Sequence, residues 1–198
     1  PGSLPLWTSL LAMAVLHDKI TRARAVGLAC IVLGDLLVGG ASLLKAFDGG
    51  DVWKGDLMFM SAAFCWACYS VMVRRHALDP VRATIAITAF ACVTFLPIYG
   101  VFAWMTWIPS HLGSAPVAEL VFQAVYQGVG SVVISGITFN VMIRHFGPVR
   151  STMITALVPG LSALGAVTFL GEPMHLNLIA GLAMVTCGIL FGVRLPKT

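Results

Sequence analysis

The sequence predicts an all-α membrane protein, a polytopic bundle of transmembrane helices, and three observations support this. Apolar residues make up 59% of the chain and charged residues 10%, whereas soluble domains carry about 25% charged residues. Long runs free of Asp, Glu, Lys and Arg reach the ~20 residues that cross the hydrocarbon core. The runs lack the apolar and polar alternation of a barrel strand, so their backbone groups must be satisfied inside helices.

Seven spans are expected. Only one of them contains a charged residue, Asp35, and only the first is short. In chain order they are Leu4–Leu16, Ala25–Leu44, Leu57–Val73, Ala83–Ile108, Leu120–Ile143, Ser151–Leu170 and Leu176–Val193.

The basic residues alternate from one connecting loop to the next. Ten of the twelve Lys and Arg residues fall in the loops 17–24, 74–82 and 144–150 or in the C-terminal tail. Because short loops rich in Lys and Arg stay in the cytoplasm, these loops and the C-terminus are expected on that side of the cell (inner) membrane. This placement accounts for the net charge of +4 without a nucleic-acid partner.

The chain repeats a pattern at a spacing of 154 residues. The matched positions include Pro5 with Pro159, Gly27 with Gly181, and Gly34 with Gly188, without a gap. Such self-similarity indicates a duplicated unit. One period holds five spans, an odd number, so the second copy is expected to enter the membrane from the opposite side.

Inverted repeats related by a pseudo-two-fold axis in the membrane plane are typical of transporters that work by alternating access. The first copy is the incomplete one, since Pro159 follows three full spans of its repeat whereas four residues precede Pro5. We therefore expect seven visible spans of ten: residues 1–46 as the last two spans of one five-helix repeat, and residues 55–194 as a complete second repeat.

Two long stretches resemble the EamA-domain branch of the drug/metabolite transporter superfamily. They are GPVRSTMITALVPGLSALGAVTFLGEP, 147–173, with Gly181 and Gly188 after it, and GDLMFMSAAFCWACYSVMVRR, 55–75. The resemblance covers essentially the whole chain and implies ten helices in two inverted repeats, with small metabolites carried through a central cavity. The chain departs from the family pattern at His17-Asp18-Lys19, where Gly-Glu is usual, and at Asp35.

Polar residues form a stripe on the fifth span. Gln123, Gln127, Ser131 and Ser135 follow a four-residue step, and Thr138 follows after three. On a helix these positions share one face, and polar groups avoid lipid. The stripe either lines a substrate cavity or forms hydrogen bonds between helices. Gln127 and Ser131 lie nearest the middle of the membrane and are the preferred substrate-binding candidates, with Gln123 beside them.

Three further candidates lie on other spans. Trp66 and Tyr69 are one short step apart on the third span, where aromatic rings either hold an apolar or cationic substrate or serve packing. Thr155, on the sixth span, completes the set of candidate substrate-binding residues.

Asp35 is the one acidic residue expected at mid-membrane. A charged side chain there costs roughly 2.5 to 3.5 kcal/mol on insertion scales, so the carboxyl is either neutral and bonded across a helix contact or a candidate for proton coupling. Its counterpart in the second copy is Ile189.

A structural role is expected for five residues. Pro159 should kink the sixth helix, Gly171 should end it, and Glu172 should sit at the start of the seventh. Gly181 is matched to Gly27 across the repeat, and Gly188 begins a Gly-x-x-x-Gly seam between helices or between two copies of the chain.

The sequence favours a secondary transporter of small metabolites, amino acids or drugs and no enzyme. The five histidines fall in loops or at span ends and the five cysteines are scattered, so neither a metal site nor a cofactor is expected. The expected partners are a small-molecule substrate and the lipid bilayer, with a homodimer as a further option. A seven-span receptor or a non-transporting membrane subunit is the alternative, although a receptor has no reason to carry an inverted repeat.

Overall fold

A computed structural model describes residues 3–46, 52–106, 115–171 and 176–193, and in these ranges the chain forms seven helices and no strand. The side chains of residues 39–46, 52, 53 and 56 lie outside the description. The helices are α1 (Leu4–Leu16), α2 (Arg22–Ala46), α3 (Val52–Arg75), α4 (Pro80–Trp104), α5 (Val117–Phe146), α6 (Pro148–Leu170) and α7 (Leu176–Val193).

The all-α transmembrane fold predicted from the sequence is confirmed. Five described segments are long and apolar enough to cross a membrane: Leu57–Arg75, Pro80–Trp104, Val117–Phe146, Pro148–Leu170 and Leu176–Val193. The short first span forms the shorter apolar helix α1, and the span carrying Asp35 forms the middle of α2. Long uncharged runs were thus sufficient to locate every helix, because only a helix satisfies its own backbone in lipid.

Two helices begin at proline. The first residue of a helix has no intrahelical acceptor for its backbone N–H, so a proline at this position loses no hydrogen bond. Pro80 opens α4 after Asp79, whose carboxylate accepts hydrogen bonds from the backbone N–H groups of Val81 and Arg82, both at 3.1 Å. Pro148 opens α6 after Gly147, which has a φ of 82°. A side chain on Gly147 would be strained at that angle, so glycine is suited to the position directly before α6.

Helix α6 has two parts. Its first part, Pro148–Thr155, ends in a turn at Ala156 and Leu157, and its second part, Val158–Leu170, starts with Pro159 in its first turn. Proline has no backbone N–H to donate to the preceding turn of a helix. The helix is therefore interrupted just before Pro159, where that hydrogen bond is missing.

The described residues form two compact units. The first contains α1, α2, α3, α6 and α7, and the second, residues 77–145, contains α4 and α5. The candidate residues Trp66, Tyr69, Thr155 and Asp35 lie in the first unit, and the polar stripe lies in the second.

The closest helix packing in the first unit joins α2 to α7. A Cβ added at Gly27 would lie 2.6 Å from the carbonyl oxygen of Gly188, and one added at Gly34 would lie 2.7 Å from that of Gly181. The residue number rises along α2 as it falls along α7, so the two helices are antiparallel. Small residues at such a seam let two membrane helices approach until their backbones touch.

A cluster of buried side chains lies toward one end of the first unit. Met153 of α6 is its centre, with no exposed surface, and its sulfur lies against Gly192 of α7. The cluster also takes in the following buried residues: Ala12, Leu28, Ile31, Val71, Val149, Ala156 and Val185. They come from the C-terminal parts of α1, α3 and α7 and the N-terminal parts of α2 and α6, so these five helix ends meet.

The two helices of the second unit are joined near Asp79. The side-chain amide of Asn140 donates to the Thr84 hydroxyl at 3.0 Å, and that hydroxyl donates to the Pro80 carbonyl at 2.9 Å. Arg144 reaches the Asp79 carboxylate at 4.0 Å. Asn140 and Thr84 are buried. A hydrogen-bonded pair of this kind stabilises the contact between two membrane helices by about 0.6 to 2 kcal/mol.

Candidate functional site

The polar stripe of α5 lies on an unusual helix. The residues from Ala124 to Ser135 form a π-helix of 12 residues, flanked by α-helical segments. The four-residue spacing of the stripe predicts an α-helix here, and the structure corrects this prediction. A four-residue step still leaves Gln123, Gln127 and Ser131 on one side, because the wider turn with i to i+5 bonds brings residues four and five apart onto one face. π-helical segments occur frequently at functional sites.

The stripe faces away from the described packing of its own unit. Gln123, Gln127, Ser131, Ser135 and Thr138 are all exposed, whereas Asn140, two residues beyond the stripe, is buried against α4. Thus Asn140 forms the hydrogen bond between helices, whereas the stripe is exposed within its own unit, as are most of residues 117–135.

The aromatic candidates of α3 are in contact with each other. The rings of Trp66 and Tyr69 have centroids 5.4 Å apart at 43°, and Trp66 is 40% exposed. A second pair, which the sequence analysis did not identify, joins Trp7 of α1 to Phe64 of α3 edge to face, with centroids 5.3 Å apart. Helix α3 therefore presents one aromatic ring to α1 and keeps two rings partly accessible beside that contact.

Thr155 ends the first part of α6. It is half-buried, and its hydroxyl donates to the Thr152 carbonyl at 2.8 Å. A threonine hydroxyl bonded back to its own helix can still accept a hydrogen bond. Its position directly before the interruption at Ala156 places it at the one irregular point of α6.

Asp35 is half-buried in α2, next to the seam glycine Gly34. Its Oδ2 atom is buried and has no hydrogen-bond partner among the described residues. Trp7 and Arg150 each have one buried nitrogen in the same condition. A buried polar atom without a hydrogen-bond partner costs free energy. Each of these three side chains therefore has an atom that a hydrogen-bond partner would stabilise.

The structural candidates occupy helix ends and the α2–α7 seam. Gly171 is the left-handed residue after α6, with a φ of 68°, and Glu172 lies outside the described residues. Gly181 and Gly188 both contact α2 within the chain. The Gly-x-x-x-Gly seam of α7 is thereby occupied inside one chain, so a homodimer would require a different surface.

Helix α1 and the second part of α6 have the same geometry at the repeat spacing. Each has 13 residues, Leu4–Leu16 and Val158–Leu170. Each ends in a left-handed residue, His17 at φ 56° and Gly171 at φ 68°. The backbone N–H groups of these two residues donate to the carbonyls of Ala12 and Ala166, which are also 154 residues apart.

The contacts between α2 and α7 also follow the repeat spacing of 154 residues, because replacing each residue by its matched position turns one contact into the other. Gly27 corresponds to Gly181 and Gly34 to Gly188, so the contact of Gly27 with Gly188 becomes the contact of Gly181 with Gly34. A Cβ on Gly188 would lie 2.9 Å from the Ile31 nitrogen, and one on Gly34 would lie 2.9 Å from the Val185 nitrogen. Ile31 and Val185 are again matched positions.

Three polar side chains of the described helices were not selected from the sequence, although each had a signal there. Trp7 and Arg150 were not selected, although an indole and a guanidinium inside or next to an apolar span are rare enough to be noticed. Asn140 was also missed. Its spacing from the last stripe residue, Thr138, is two, which places it on another side of the helix, and that offset was the available signal.

Comparison with known proteins places this geometry in context. Residues 53–194 match the EamA-like transporter family. The uncharacterized transporter YyaM of Bacillus subtilis is 25% identical over 99% of this chain and 64% of its own length. The uncharacterized transporter YoaV of the same organism is 23% identical, over 94% of this chain and 62% of its length.

A third relative carries a more specific name. A probable amino-acid metabolite efflux pump of Salmonella typhimurium is 20% identical over 97% of this chain and 66% of its own length. The chain thus spans slightly less than two thirds of the length of the first relatives. The resemblance seen in the sequence is confirmed, and the helices long enough to cross a membrane agree with it: this multi-pass membrane protein belongs to the EamA-like transporter family.

Proposed function

We propose that the protein is a secondary transporter that moves a small metabolite across the cell membrane by alternating access between two inverted repeats. The observation that supports this most is the exchange of the α2–α7 contacts at the repeat spacing, Gly27 with Gly188 and Gly34 with Gly181. Two antiparallel helices whose contacts exchange in this way are related by a two-fold operation. Such an axis in the membrane plane is the arrangement that lets one half rock against the other.

The first repeat would contribute residues 1–46 and the second residues 55–194. The equal lengths and matching ends of α1 and the second part of α6 support this division. The relatives are longer than this chain, and the complete transporter would take further helices of the first repeat from that additional length.

The proposed orientation places the buried cluster around Met153 at the cytoplasmic side. The five helix ends that meet there adjoin the segments 17–24, 74–82 and 144–150 or lead toward the C-terminal tail, and these segments carry ten of the twelve Lys and Arg residues. Since short basic loops remain in the cytoplasm, the C-terminus would also lie there.

Each unit has its own candidate substrate contacts: the polar stripe in the second unit and the aromatic pair in the first. Gln127 and Ser131 offer an amide and a hydroxyl from the π-helix, while Trp66 and Tyr69 offer ring faces that attract an ammonium group. Gln123 and Thr155 would add polar contacts. The amide and hydroxyl of the stripe suit a polar substrate, and the ring faces of the first unit separately suit an amine; the name of the Salmonella relative agrees with an amino acid or related amine.

Alanine substitutions test these roles. In the intact protein, Gln127→Ala and Trp66→Ala should each reduce uptake into vesicles about tenfold, as expected for the loss of a contact worth roughly 1.4 kcal/mol. Expression should stay unchanged, because both side chains are exposed within their own units. Phe90→Ala, a change on α4 where the ring is 69% exposed, is the control. Full transport in both variants would remove these residues from the site.

Asp35 is proposed as the residue that couples transport to a proton gradient. Its unpaired, buried oxygen in a membrane helix suits a carboxyl that takes up and releases a proton, and such residues mark proton pathways. Asp35→Asn keeps the shape but fixes a neutral side chain, so transport should become independent of external pH. The rate of uptake across pH 5 to 8 gives the answer, and a pH profile that survives the substitution would rule out the coupling role.

A further inference from the structure

An apolar groove with a volume of about 510 Å³ lies between α1 and α2. Nine residues line it, and eight of them are apolar. The ninth, Ser9, already donates its hydroxyl to the Pro5 carbonyl at 2.7 Å. The groove is therefore suited to a hydrocarbon chain and offers little to a polar ligand.

The length of the groove matches one leaflet of a bilayer. On α2 its lining runs from Ala25 to Leu33, which at 1.5 Å per residue is about 12 Å. Half of a hydrocarbon core is about 15 Å thick. The groove also includes Ile20, in the basic loop between α1 and α2, so in the proposed orientation it lies in the cytoplasmic leaflet.

Basic side chains stand at the loop end of the groove. Arg22 precedes the lining residue Ala25 by three positions, and Arg24 precedes Leu28 by four. Residues at these spacings are neighbours on a helix surface. Arg22 is exposed and Arg24 is half-buried. Positive charge thus borders the apolar groove at the height where lipid phosphates lie.

The matched positions of the second repeat lack both features. The counterparts of Leu6 and Leu28 are Gly160 and Leu182, and a methyl carbon of Leu182 fills the space beside Gly160. The counterparts of Arg22 and Arg24 are Leu176 and Leu178. Among the described residues, the groove and the charges thus occur together in the first repeat and not in the second. This favours a single ligand that contacts both the groove and the charges.

We propose that the groove between α1 and α2 holds an acyl chain of an anionic phospholipid whose phosphate pairs with Arg22 and Arg24. The charges select an anionic head group, since each Lys or Arg near a membrane surface adds about 1 kcal/mol of attraction to anionic lipid. The apolar lining holds the chain in contact with both helices. This lipid would stabilise the contact between α1 and α2, which otherwise touch little.

Competition between lipids tests the head-group part of the proposal. The purified protein in nanodiscs should retain spin-labelled phosphatidylglycerol in preference to spin-labelled phosphatidylcholine. In Arg22→Gln/Arg24→Gln the affinity for phosphatidylglycerol should fall about thirtyfold. Arg74→Gln/Arg75→Gln removes the same charge from the end of α3, where neither residue lines the groove, and should leave the affinity within about twofold. Equal losses in the two double variants would overturn the proposal.

A groove-filling substitution tests the acyl chain. Ala29→Phe places a ring in the groove from an exposed position, whereas Ala23→Phe adds the same ring to an exposed position outside it. Ala29→Phe should weaken phosphatidylglycerol binding at least tenfold, while Ala23→Phe should not. Unchanged binding in Ala29→Phe, or equal retention of both lipids by the unmodified protein, would show that another element or a non-specific lipid layer covers the groove and would overturn the proposal.

Discussion

Replacing Gly188 by alanine is expected to lower the free energy of unfolding by roughly 3 kcal/mol, at the upper end for an overpacked site. The added Cβ would lie 2.6 Å from the Gly27 carbonyl oxygen and 2.9 Å from the Ile31 nitrogen. These are backbone atoms, which cannot rotate away as a side chain can. The helices α2 and α7 would therefore have to separate and lose their contact.

The matched position and an open glycine provide the comparison. Gly34→Ala should cost nearly as much as Gly188→Ala, because its Cβ would meet the Gly181 carbonyl oxygen at 2.7 Å. Gly165→Ala, on α6, meets nothing within 4 Å and should be neutral or stabilising by about 0.5 to 1 kcal/mol. Unfolding in mixed detergent micelles measures all three. A tolerated Gly188→Ala, or a loss of similar size in Gly165→Ala, would contradict the packing described for this seam.

Met153→Ala is expected to have the second large effect, a loss of roughly 2 to 5 kcal/mol. The side chain is fully buried where α1, α3, α6 and α7 meet, and its sulfur fills the space next to Gly192. Shortening it leaves a cavity. Between membrane helices the lost energy is that of packing contacts, since lipid is as apolar as the side chain.

Met58→Ala is the matched control, because the same atoms are removed from a side chain that is 74% exposed on α3. It should change the unfolding free energy by less than about 0.5 kcal/mol. The same micelle titration applies to both variants. Equal losses at the two positions would mean that the buried cluster around Met153 does not stabilise the first unit.

The sequence was sufficient to locate the helices but not to identify which sides of them are buried. Long uncharged runs predict spans because lipid forces the backbone into helices. Met153 and Met58 are equally apolar, however, and a membrane offers no polar surface that would distinguish the buried one. Periodicity therefore carries little information here, unlike in a soluble helix bundle.

Parts of the candidate site followed from the sequence for a physical reason. The stripe of Gln127 and Ser131 could be recognised because polar side chains are rare in lipid and their spacing is visible. The π-helix that carries it could not, since no residue type in Ala124–Ser135 distinguishes a π-helix from an α-helix. The glycines of the seam were recognised as matched repeat positions, but their pairing across α2 and α7 required the packed structure.

In the proposed transporter the two halves are inserted with opposite orientation, and the accessibility of single cysteines decides whether they are. The background would replace the native cysteines, Cys30, Cys65, Cys68, Cys92 and Cys187, with serine. Ala23→Cys, beside Arg22, and Glu172→Cys would then be labelled with a membrane-impermeant maleimide in right-side-out and inverted vesicles. If the two halves are inserted with opposite orientation, Ala23→Cys reacts only from the cytoplasmic face and Glu172→Cys only from the outer face. Reaction of both from the same compartment would contradict it.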